Sequence, residues 1–81
     1  MNEQARQAMA VAKNLELLAR LHADNQQHET ALALYDKALS WAMKAEDLPQ
    51  SLQLIEQLKC VRALSRQAEA LEQAVAAVAG N

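Results

Sequence analysis

Pro49 and Gly80 are the only proline and glycine in this 81-residue chain, and residues 50–79 between them contain no helix breaker. Proline has no N–H to donate and is tolerated in a helix only in the first turn, while glycine is the usual residue just past a helix end. Asp47 stands two residues before Pro49 as an N-cap, and Gln50 takes the capping-box position three residues after it. The segment therefore predicts one uninterrupted helix over about 49–79, about 31 residues and about 46 Å long. The rest of the chain has the same bias. It has no Phe, and helix-forming Ala, Leu, Gln and Glu outnumber the β-branched and turn residues that a sheet needs. The fold class read from this is all-α, in a single domain covering residues 1–81.

Two shorter helices precede the long one. Over about 3–23, Ala8, Val11, Ala12, Leu15, Leu18, Ala19 and His22 recur at steps of three and four and predict one inward stripe, broadened by Leu17 and Leu21. The periodicity lapses at Asp24-Asn25-Gln26-Gln27, where Asp24 or Asn25 is placed to cap the next helix. Over about 27–46, Ala31, Leu34, Tyr35, Ala38, Trp41, Ala42 and Ala45 share one face, with Asp36, Lys37, Ser40 and Lys44 away from it. Connections this short make consecutive helices antiparallel neighbours. The predicted architecture is an antiparallel three-helix bundle with a long third helix.

Length mismatch makes the third helix the informative one. Helix two reaches about 30 Å, so the third must overhang it. Leu54, Leu58, Val61, Leu64, Ala68, Leu71, Val75 and Val78 form a coiled-coil-like seam with one short step at Val61–Leu64. Its last part, Leu64, Ala68, Leu71, Val75 and Val78, is predicted to be a partner-binding stripe with Arg66 and Glu69 beside it, unless helix one, about 32 Å long, covers it. Two aromatics complete the reading. Tyr35, between Ala31 and Ala38, is expected to fill the core between helices one and two. Trp41, near a helix end, is a candidate partner anchor.

Reaction chemistry is absent from the pattern. There is no glycine-rich loop to cradle a phosphate and no Ser/His/Asp set, so no catalytic or cofactor-binding residue is assigned. His22 and His28 lie six apart across a turn, off the i, i+4 spacing of a helical metal pair, and Cys60 has no histidine at helical distance. A formal charge of −2 without a basic block argues against nucleic acid as a partner. No apolar run approaches the roughly 18 residues of a membrane span. A single cysteine and no apolar leader block suggest a cytoplasmic location.

The spacing Leu15-x2-Leu18-Ala19-x2-His22 followed by Ala31-x3-Tyr35-x2-Ala38 resembles one tetratricopeptide-type helical hairpin, over residues 15–38. It departs from that family at His22 and His28, where aromatics are usual, and at Met43, where proline often stands. Ala31-Leu32-x-Leu34-Tyr35 with Lys59-Cys60-x3-Leu64-x-Arg66-x-Ala68-Glu69-x-Leu71 is similar to the microtubule-interacting-and-transport domain, a tetratricopeptide-like three-helix bundle. That match requires a one-residue deletion before Ala31 and an extra Gln67, and the loop lacks the usual glycine. The resemblance implies grooves beside the third helix that take amphipathic helices or extended motifs of partner proteins.

The expected function is a non-catalytic adaptor or small chaperone that binds a helical segment of a partner protein. The alternatives are a structural homodimer formed through helix three and, by analogy of class, a small bacterial secretion chaperone. Neither requires a cofactor. Treatment with EDTA is expected to leave the circular dichroism spectrum and melting curve unchanged. Loss of helicity would instead make His22 and His28 a metal site.

Overall fold

A computed structural model describes residues 2–80, which form three helices: α1 Glu3–Asp24, α2 His28–Lys44 and α3 Leu48–Ala79. The predicted bounds hold to within two residues. The middle helix carries the fold, since α1 and α3 each pack on α2 and barely meet one another. Alanines make the α1–α2 packing possible. Ala12, Ala19, Ala31, Ala38 and Ala42 are fully buried, and a methyl group at each crossing point lets the two backbones come close. Tyr35, 3% exposed, supplies the bulk these alanines lack, and Leu54 from α3 is the largest side chain with no exposure at all.

The inward face of α1 differs from the predicted stripe. Its buried positions are Ala8, Ala12, Glu16 and Ala19, whereas Leu17, Leu18 and Leu21 are exposed. Periodicity marks these positions as apolar without saying what covers them, and α2 is the main neighbour of α1. Glu16 is buried because it lies at the edge of that narrow contact, on the side where the start of α3 approaches. Its carboxylate reaches out to Arg20, one turn on, at 3.1 Å.

Both turns close without glycine. Gln26 and Glu46 adopt left-handed φ values of 63° and 56°. Gln27 N–H donates to His22 O at 2.9 Å, and Asp47 N–H donates to Ala42 O at 3.0 Å. These are the six-to-one bonds of Schellman caps, and they occupy carbonyls that the helix ends leave free. The expectation that Asp24 or Asn25 caps α2 is corrected accordingly. Asn25 instead closes α1, with Nδ2 donating to Leu21 O at 3.0 Å, and Gln27 precedes α2 with no side-chain cap. Asp47 caps α3 as predicted, accepting from Gln50 N–H at 3.2 Å with Pro49 in the first turn, and Ser51 Oγ donates to Asp47 O at 2.8 Å.

Along α3 only Ser51, Leu54, Leu58 and Val61 are buried. Past Ala68 every described residue is exposed. The molecule measures 62 × 18 × 13 Å, with a radius of gyration of 15.9 Å, where a compact chain of this length would have about 12 Å. The single-helix overhang accounts for that elongation. Tyr35→Ala removes the one large side chain at the α1–α2 crossing and should cost about 3–5 kcal/mol. That is a large share of the roughly 4–12 kcal/mol expected for 81 residues. Thermal melting followed by circular dichroism checks it, and a parent-like transition in the variant would contradict the packing described.

Candidate functional site

The overhang presents the longest uncovered apolar surface. Leu64 is half-exposed and Ala68 partly covered, while Leu71, Val75 and Val78 are 68%, 66% and 77% exposed. Leu71, Ala74, Val75, Val78 and Ala79 together line a shallow, wholly apolar groove of about 370 Å³. Helix one does not reach it. It runs beside α2 and ends at Asp24, short of the overhang.

Helix geometry explains why the hairpin leaves this stripe bare. At about 100° per residue, Leu64, Ala68, Leu71, Val75 and Val78 centre about a quarter-turn from the buried trio Leu54, Leu58 and Val61. The rotation comes from the three-residue step at Val61–Leu64, which shifts the phase of the seam. The stripe lies on the flank that carries Gln53, a residue lining the cleft toward α1. A longer α2 would not cover it. The same wheel places Arg66 and Glu69 away from the stripe, toward the back of the helix, which corrects their expected place beside it.

Trp41 belongs to another part of the molecule. It lies near the α2 C-terminus, beside the first turns of α1, whereas the overhang projects past the opposite end of α2. The ring is 37% exposed and lines a cleft with Ala5, Ala8 and Ala45. Lys44 Nζ sits 4.6 Å from the ring centroid, a contact worth about 0.5–1 kcal/mol at an exposed site. The residues predicted to bind a partner therefore divide into the overhang stripe and a separate aromatic at the far end.

A second apolar groove escaped the sequence reading. Leu39, Met43, Leu48, Leu52 and Ile55 line about 410 Å³ between the end of α2 and the start of α3. Leu48, Leu52 and Ile55 repeat at four and three residues, a second stripe on α3 that the longer seam obscured. His22 Nδ1 meets Gln27 Oε1 in the first turn, Cys60 is exposed, and among the described residues no three His, Cys, Asp or Glu are grouped to hold a metal ion. Among the described residues no helix is long and apolar enough to cross a membrane.

With this geometry in hand, comparison with known proteins adds no assignment: no family model, no curated protein and no solved structure matches the chain.

Among the described residues, Tyr35 is a titratable group whose surroundings shift it. Burial raises its hydroxyl above the usual 10.0, and the nearby Arg20 guanidinium works in the opposite direction without cancelling it. The fold thus favours the neutral phenol. Above pH 10 the unfolded chain gives up this proton while the folded one keeps it. The contribution is complete below pH 10 and declines as pH rises through the folded value. Urea denaturation at about pH 8 and about pH 11 should show a smaller loss of stability for Tyr35→Phe than for the parent. Equal losses would place the hydroxyl in water.

Proposed function

We propose that this chain is a non-catalytic protein–protein interaction module, an adaptor or small chaperone, that receives an amphipathic helix along the α3 overhang. The observation that carries this reading is the uncovered stripe Leu64, Ala68, Leu71, Val75 and Val78. Steps of four and three are the spacing at which one helix packs its side chains between those of another. Leucine and valine supply apolar area, and Ala68 permits close approach at the crossing. A contiguous apolar surface of this length on a small chain is characteristic of an association site. The tetratricopeptide-like pattern of residues 15–38 and the similarity to microtubule-interacting-and-transport domains point the same way, since those domains hold partner helices beside their third helix. Trp41 and the Leu39–Ile55 groove are secondary contacts in this reading.

Val75→Glu tests the proposal. The side chain is solvent-facing in the isolated chain, so the variant should melt at the parent's temperature with the same helicity. A charge in a helix–helix seam has no partner there and should abolish association. Parent and variant are compared as baits in native lysate by mass spectrometry, counting only proteins held by the parent and lost by the variant. Identical sets of bound proteins would end the reading. A sharp fall in melting temperature at every protein concentration would show that the stripe is core.

A further inference from the structure

Resting on that reading, we infer that the occupant of the stripe is a second copy of this chain, paired antiparallel about a two-fold axis between Glu69 and Ala70. Two observations lead there, surface area and layer packing, and charge order adds a weak bias in the same direction.

The described chain exposes 5904 Å² for a mass of 8.9 kDa. A compact monomer of that mass exposes about 4,800 Å². The excess, about 1,100 Å², is spread around the overhang, of which the stripe is one side, and compares with the roughly 800 Å² that each partner contributes to a standard interface. It comes from the elongation already described, 62 Å along one axis against 18 and 13 Å on the others. A single helix with nothing packed on it is only marginally stable in water even when rich in alanine. The overhang therefore gains order when its seam is covered.

The seam complements itself in one direction. With the axis between residues 69 and 70, Leu71 meets Ala68 of the second copy and Leu64 meets Val75. Both pairings then recur by symmetry. Each layer holds one leucine and one smaller side chain, so the layers have similar volume and pack without voids. Beyond them Val78 would meet Val61, which is already buried against its own hairpin, and the paired region ends there. Parallel, in-register pairing would place Ala68 on Ala68 and Leu71 on Leu71, alternating a gap with a crowded layer.

Charge order agrees. From Arg62 to Gly80 the only charged residues are Arg62 and Arg66, then Glu69 and Glu72. Antiparallel pairing sets the basic half of one overhang alongside the acidic half of the other, and parallel pairing sets like beside like. These residues are exposed, and Arg62, Arg66 and Glu69 lie toward the back of the helix, so the bias is weak and salt-dependent and the layer packing carries the direction.

The native thiol reports the arrangement. Cys60 is exposed and is the chain's only cysteine. In the antiparallel pair the two Cys60 positions are separated by 19 residues along the axis (69.5 − 60, doubled), about 28 Å. In a parallel pair they stand side by side, within about 10 Å of one another. Sedimentation equilibrium at micromolar concentration should give twice the chain mass, and nitroxides on Cys60 should give a distance distribution centred near 28 Å. Val75→Glu and Leu71→Glu, in neighbouring layers, should each be monomeric, with the hairpin still helical and a melting transition that, unlike the parent's, does not shift with protein concentration. A short inter-label distance would overturn the antiparallel pair. A parent monomer at hundreds of micromolar would overturn self-pairing, while Val75-dependent capture of another protein would still leave the interaction module standing. A Val75→Glu variant that remains dimeric would overturn both.

Discussion

Close approach of α1 and α2 over their alanines is the contact on which the rest of the molecule depends. Ala12, Ala19, Ala31, Ala38 and Ala42 have no exposed surface, and side chains this small let the two backbones pack closely. Such a crossing buries little side-chain area per residue, and Tyr35 restores some of it. The same narrowness has a cost at the edges. With α2 as its main neighbour, α1 keeps only a thin stripe indoors, which leaves Leu17, Leu18 and Leu21 in solvent and draws Glu16 inside. The Arg20 guanidinium then gives that carboxylate a partner at the rim.

Helix α3 follows a different logic. Its first part docks on α2 through Leu54, Leu58 and Val61, and its C-terminal half has no neighbour within the chain. Nothing in the backbone stops the helix earlier, because propensity favours continuation as far as Gly80. The phase step at Val61–Leu64 then turns the apolar stripe away from the α2-facing side. Continuous helix and rotated seam together make a projection whose apolar side is offered outward.

Much of this architecture was legible in the sequence. Three helices, their bounds within two residues, the Asp47 cap and the burial of Tyr35 all followed from local chemistry. The turns were located, but their construction was not. Gln26 and Glu46 take left-handed conformations that no residue signal announces, because glycine is the usual marker and is missing there. The Leu39–Ile55 groove was likewise hidden, since Leu48, Leu52 and Ile55 make a second periodic stripe on a helix already read by its longer seam.

The sequence by itself determined where the chain is helical and that the third helix outruns its neighbours, because breakers, caps and propensity act within a few residues. Only the tertiary structure decided which apolar stripe is covered. Periodicity shows that a face is apolar without saying what lies opposite it. Leu18 and Leu54 occupy comparable places in their patterns, yet one is half-exposed and the other wholly buried. The difference is the neighbour: α2 has helices on two sides, α1 and the start of α3 have α2, and the end of α3 has none.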